Sequence, residues 1–228
     1  MFFLFNYHPY IAIIGDMKES KKIENRKEVQ EKFNKILNEI NGKYEEDIAS
    51  KFIITLGDEF QGLLHNGEHT LQIISDIERK MYPVKLRFGV GVGAITTDIN
   101  KDMAIGADGP GYYNARKAIE YLKEKEKRKQ SNASDIRFEV EGENQAAAIM
   151  INTILSLMTV IKESWSERQR EIIWNMMEHE DSQSKVAERL NIKQPAVQKS
   201  LANGKYYAYK EALDNIEKAL AEIRRKDV

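Results

Sequence analysis

The chain has 228 residues, enough for a full core plus a small appended module, so two domains are expected. Charged residues make up 31% with a formal net charge of −1, which excludes a globally basic nucleic-acid coat and leaves any DNA contact to a local patch. The absence of cysteine excludes disulfides, thiolate metal sites and thiol nucleophiles, and agrees with an expected cytoplasmic location.

In chain order, MFFLFNYHPY is apolar but has no basic leader and no small-residue cleavage site, and Pro9 interrupts it, so it is expected to lead into a strand. YIAIIG, residues 10–15, is a β-branched run that stops at Asp16 as a buried central strand does. Val29, Phe33, Ile36, Leu37 and Ile40 then share one helical face, closed by Asn41 and Gly42. KFIITLGDEFQGLL sets two apolar runs on either side of Gly57 and Asp58, the pattern of a hairpin. Residues 67–81 suit a helix with Leu71, Ile74, Ile77 and Met81 on one side, and VKLRFGVGVG, residues 84–93, alternates as a strand. After an irregular stretch containing IGADGPG, a helix from Tyr112 to Lys127 turns Ala115, Ile119 and Leu122 inward, and a strand over residues 136–140 follows. The order βαββαβ, then a helix and a strand, predicts the split-βαβ sheet of ferredoxin-like and palm domains. Lys123 to Asp135, charged and then small and polar, is expected to be a solvated loop.

From Gly142 onward no strand pattern remains, which places a boundary near 141: an α+β domain over residues 1–141 and a helical domain over 142–228. The apolar run Ala146 to Ile161 is broken by Asn152, Thr153, Ser156 and Thr159 and falls short of the ~20 residues a bilayer span needs, so no membrane contact is expected. It reads as a core helix joining the domains or as the seam of a homodimer. Beyond it, Ser166 caps a helix with Ile172, Ile173 and Met176 inward, and Asp181 or Ser182 caps a second that ends at Asn191. Ala187 suits a close helix crossing, Asn191 a left-handed turn, and Ile192 and Val197 the packing of a third helix. From Gln183 to Lys210, six Lys or Arg stand against one acid, Glu188. That spacing resembles the bacterial helix-turn-helix. The resemblance implies that the third helix enters the major groove of DNA, with Lys193, Gln194, Gln198, Lys199 and Asn203 as its readers.

Two carboxylates occupy telling places in the first domain, Asp16 at the end of the first strand and Asp58 at the hairpin turn. In a βαββαβ sheet these lie side by side. Converging acids repel unless a cation separates them, and hard oxygen ligands favour Mg²⁺ or Mn²⁺, often with substrate phosphates in the remaining positions. Gly89, Gly91 and Gly93 share one strand face and leave a trough that admits a purine ring or a close-packed helix. Glu59 is expected on the opposite face from Asp58, solvated or paired with a lysine. The pair His65 and His69 has no nearby carboxylate pattern and gives little support to zinc.

IIGDMKES followed by FIITLGDEFQGLL resembles the metal-binding strand and hairpin of class III nucleotidyl cyclases and GGDEF diguanylate cyclases. LRFGVGVG and AIGADGPGYYNARKAIE resemble the strand and helix that follow in the cyclases. The whole chain most closely resembles the SatD family of bacterial proteins, named for a role in acid tolerance. The cyclase resemblance implies a metal at Asp16 and Asp58, a phosphate-stabilising and candidate catalytic role for Arg116, and a nucleotide bound near Gly89, Gly91, Gly93, Asp108 and Arg116. It departs from the cyclase pattern at Tyr112, where the cyclases have Asn, and at Leu56, where a diguanylate cyclase has Gly. Three functions follow: a nucleotide- and metal-responsive DNA-binding regulator, a metal-dependent nucleotide-processing enzyme, or a non-catalytic adaptor.

Overall fold

The computed structural model describes residues 3–128 and 134–223; residues 129–133, the centre of the expected solvated loop, lie outside the described residues. Tyr10–Met17 forms β1, buried along almost its whole length because strands pair on both sides and helices cover both faces. The apolar run predicts a strand ending at Asp16. It continues through that carboxylate to Met17, because Arg87 on the neighbouring strand neutralises it.

Helix α1 (Arg26–Lys43) buries Phe33, Ile36, Leu37 and Ile40, the stripe its spacing predicts. β2 (Ile48–Leu56) and β3 (Glu59–Leu64) form the hairpin, with Gly57 at φ 56 making the left-handed step. Then come α2 (Thr70–Met81), β4 (Leu86–Gly93), α3 (Pro110–Lys127) and β5 (Ile136–Val140). The sheet order is β2-β3-β1-β4-β5, antiparallel except for the parallel pair β4 and β5. Its first four strands therefore have the split-βαβ arrangement. One sheet face packs on α3 through Ala12, Ile14 and Leu63, and the other carries the main core with α1 and α2.

The remainder of the described chain is helical: α4 (Gln145–Glu163), α5 (Glu167–His179), α6 (Gln183–Arg189), α7 (Gln194–Asn203) and α8 (Tyr206–Leu220). Ser166 caps α5 in a reciprocal box with Gln169, and the Ser182 hydroxyl accepts from Lys185 N–H at the start of α6. The bundle shares one continuous apolar core with the sheet, from Phe88 and Phe138 through Leu155 and Trp165 to Ile173, Val197 and Ile216. With its lead-in turn, α4 covers Gly142–Glu163, 22 residues that contain an 18-residue stretch of mean hydropathy 1.5, which is long and apolar enough to cross a membrane by length and composition. Its sequence alone predicts a shorter stretch. About 44% of that 18-residue stretch is buried inside the protein, where Asn152 pairs with the backbone of Phe138 on β5.

One contact ties the last helix to the sheet domain. α2 has no side-chain cap of its own, and Glu217 of α8 supplies it, accepting from Leu71 N–H at 2.9 Å and Gln72 N–H at 3.4 Å. Burial pushes the Glu217 carboxyl up to about 7, against the pull of those two amides. A carboxyl raised in the folded state gives its full stability below its unfolded value, near 4.5, and loses it as pH rises through about 7. Glu217→Gln keeps the capping oxygen and removes the titration. In urea unfolding, wild type is expected to lose up to about 3 kcal/mol relative to this variant between pH 4.5 and 8. Parallel pH profiles for the two proteins would contradict this assignment.

Candidate functional site

β1 brings Asp16 to the face beneath α3, opposite Glu59 in the β3 register and opposite Arg87 in the β4 register. All three side chains are buried. Arg87 Nη1 donates to Asp16 Oδ2 at 2.5 Å, and Lys123 Nζ of α3 lies 3.3 Å from the same oxygen. Arg116 of α3 forks onto Glu59 with bonds of 2.6 and 2.8 Å. Glu59 is therefore neither solvated nor lysine-paired as expected. Asp58 occupies the hairpin turn, so strand alternation does not carry across it, and Glu59 falls on the Asp16 face. Burial pushes the Asp16 carboxyl up; Lys123 and Arg87 oppose this, and the charge of Asp58 adds to it. Asp58 is held by Met17 N–H donating to its carbonyl at 3.0 Å and by the Ser20 hydroxyl donating to Oδ2 at 2.5 Å.

The ion pairs continue away from Asp16. Arg87 Nη2 reaches Glu126 at 2.6 Å, and Lys18 bridges Glu126 at 3.0 Å and Asp135 at 2.5 Å. Lys162 of α4, fully enclosed, lies 2.9 Å from Asp135 and also pairs with Glu78 of α2. Burial would lower the Lys162 pKa, but Glu78 and Asp135 outweigh it and hold the ammonium charged. Alternating charges thus run from Asp16 under α3 to α4 and α2. Local patterning left one trace of this: Arg87 stands two residues before Gly89 and so shares the glycine face. Lys18, Asp135, Lys162 and Glu78 come from separate parts of the chain and share no local motif.

The trough of Gly89, Gly91 and Gly93 is filled by α3. A Cβ on Gly89 would lie 2.3 Å from the Ala115 carbonyl oxygen, on Gly91 2.1 Å from Ala115 N, and on Gly93 2.5 Å from Gly111 N. These glycines admit the helix and leave no room for a purine ring, which corrects their expected place at a nucleotide. Asp108 is exposed just ahead of α3, and its carboxylate accepts the Tyr113 hydroxyl at 2.7 Å. Asn114 of α3 is buried and donates to the Val92 carbonyl. Tyr112 is buried with no hydrogen-bond partner for its hydroxyl among the described residues, and burial pushes that hydroxyl up. No cluster of three or more His, Cys, Asp or Glu is arranged to hold a metal among the described residues.

In the helical part, Val186, Ala187, Val197 and Leu201 are buried against Ile172 and Ile173, and Asn191 takes φ 50 between α6 and α7. Lys193, Gln194, Gln198, Lys199 and Asn203 are all exposed. Lys193 stands at the N-cap of α7 without a side-chain capping bond; Pro195 has no N–H to offer there, and Ala196 N–H donates to the Lys193 carbonyl at 2.9 Å. Gln194 donates to Gln183 at 2.8 Å, and Gln183 donates to the Tyr207 hydroxyl at 3.0 Å. The basic tally shrinks. Arg189 is held by Asp181 through two bonds and Lys210 by Asp214 and Glu180, whereas Lys185, Lys193, Lys199 and Lys205 form no ion pair among the described residues.

No curated protein matches the chain. Among solved structures it is similar to the dimeric guanylyl cyclase domain of the RhoGC fusion protein from the aquatic fungus Blastocladiella emersonii, at 16% identity and a TM-score of 0.38, covering 49% of this chain and 73% of that one. A rhodopsin-guanylyl cyclase catalytic core with converted specificity, in complex with ATPαS, gives 16% identity, TM-score 0.35 and coverage of 49% and 71%. A bacterial light-regulated adenylyl cyclase gives 15% identity, TM-score 0.41 and coverage of 57% and 74%. Such likenesses are too low to carry residue roles across. The model of the SatD family matches residues 10–217 of the 228, and the chain belongs to that family.

Proposed function

We propose that the protein is a DNA-binding regulator in which α6 and α7 form a helix-turn-helix and the sheet domain, divided from the helices near residue 141, senses a ligand. The observation that carries this reading is the exposed face of α7. It presents two lysines, two glutamines and an asparagine over a buried apolar seam. Glutamine and asparagine pair with adenine edges, and lysine reaches guanine or phosphate. Held by Gln183, Gln194 meets a base without first being ordered.

Ligand sensing rests on Asp16 and Asp58. The bonds described above all go to one oxygen of each carboxylate, and Asp16 Oδ1 and Asp58 Oδ1 are the ligands a Mg²⁺ or Mn²⁺ ion would use. A nucleotide phosphate beside that ion would draw Arg116 or Lys123 from its carboxylate. Arg116 locked on Glu59 and the filled glycine trough favour such sensing over turnover, so the metal-dependent enzyme is the second reading.

Fluorescence anisotropy on duplex DNA tests the proposal. Lys199→Ala and Lys193→Ala are each expected to weaken binding on all sequences and to reduce the salt slope by about one, since each releases one phosphate contact. Gln194→Ala is expected to cost about 1–3 kcal/mol on a selected site and little on random DNA. Unchanged affinity in all three would remove α7 from the interface. Release of pyrophosphate from any nucleoside triphosphate with Mn²⁺ would favour the enzyme instead.

A further inference from the structure

We propose that the outer face of α4 is a two-fold seam that pairs this chain with a second copy of itself. The inner face of the helix, Ala147, Ala148, Ile151, Leu155 and Met158, is buried against the protein. Its outer positions Ala146, Met150, Thr153, Leu157 and Val160, and Ser164 at its C-cap, are all exposed. Their spacing is four, three, four, three, four, the a and d register of a coiled coil. None of the six is charged, on a chain that is 31% charged, and Ile149 beside them is 67% exposed. Met150 is 58% exposed, Leu157 60% and Val160 41%.

At 41–67% exposure, Met150, Leu157, Val160 and Ile149 leave about half or more of four large apolar side chains uncovered on one helix, surface that an interface of ~800 Å² per partner would bury. The lack of charge selects the occupant. A different protein is recognised along a helical seam chiefly by complementary flanking charges, and the flanks here are Ile149, Ile154, Ser156 and Ile161, with a single charge, Glu163, at the last turn. A two-fold axis sets like against like and needs no such complement. This inference stands on α4 alone and does not depend on the DNA reading.

Analytical ultracentrifugation of the full chain at micromolar concentration is expected to give a dimer, and Leu157→Glu a monomer with unchanged circular dichroism, whose melting temperature no longer depends on protein concentration. The cysteine-free sequence supplies a second measurement. Among the single variants Met150→Cys, Thr153→Cys and Leu157→Cys, at least one is expected to form an intermolecular disulfide on mild oxidation, whereas Lys27→Cys, exposed on α1, is not. A monomeric wild type, a Leu157→Glu protein that stays dimeric, or cross-linking only at Lys27→Cys would each overturn the proposal. So would wild-type binding to neutral phosphatidylcholine vesicles that Leu157→Glu abolishes, because lipid would then be the occupant.

Discussion

Lys162→Ala is expected to destabilise the protein by about 3–5 kcal/mol, because it leaves two carboxylates in the interior with part of their compensation gone. Lys162 is buried between Asp135 of the β5 approach and Glu78 of α2. Lys18 still reaches Asp135 in the variant, which puts the expected loss near the lower end of that range. The sign of the pH effect is specific. Without the ammonium, the Asp135 carboxyl loses one of the two lysines that hold it low, so the penalty is fully present at pH 7 and shrinks as acid protonates it. Urea unfolding at pH 7 and pH 4.5 checks this. A loss below 1 kcal/mol, or one that grows in acid, would show that the charge chain is not a structural unit. Asp135→Asn in the Lys162→Ala background is expected to restore part of the loss, since it removes one uncompensated charge.

Gly91→Ala is expected to cost at least about 3 kcal/mol, from one added methyl group. The new Cβ would stand 2.1 Å from Ala115 N and 2.2 Å from the Gly111 carbonyl oxygen, both backbone atoms of α3. Backbone does not swing aside as a side chain does, so α3 must lift from β4, and Arg116 and Lys123 move with it. Gly42→Ala in α1 is the control. Nothing lies within 4 Å of its Cβ, and the change is expected to stabilise by about 0.5–1 kcal/mol. Thermal denaturation of both variants decides the matter. A Gly91→Ala protein that melts with wild type would mean that α3 does not sit on the glycine face.

These two residues also show which parts of the molecule were legible in sequence. Helical stripes such as Phe33, Ile36, Leu37 and Ile40, and the Gly57 and Asp58 turn, are local signals, and the elements formed where those signals lie. The glycine alternation was equally plain, but not its occupant, because a purine ring and a helix backbone ask the same absence of side chains from β4. Glu59 was misplaced by carrying strand alternation through a turn. The charge chain was invisible because Lys18, Glu78, Asp135 and Lys162 meet only after four elements have packed. In the helical part, Lys210 and Asp214 are four residues apart on one helix, so their pairing was open to inspection; Arg189 and Asp181, on opposite sides of a cap, were not.

The central claim is that α7 meets duplex DNA. Its most direct test is the affinity of the wild-type chain for a random duplex across a salt series. Four exposed lysines without ion pairs, Lys185, Lys193, Lys199 and Lys205, predict binding at low salt with a slope of log Kobs against log salt of about −3 to −4. No binding at low salt, or an affinity that does not change with salt, would contradict it.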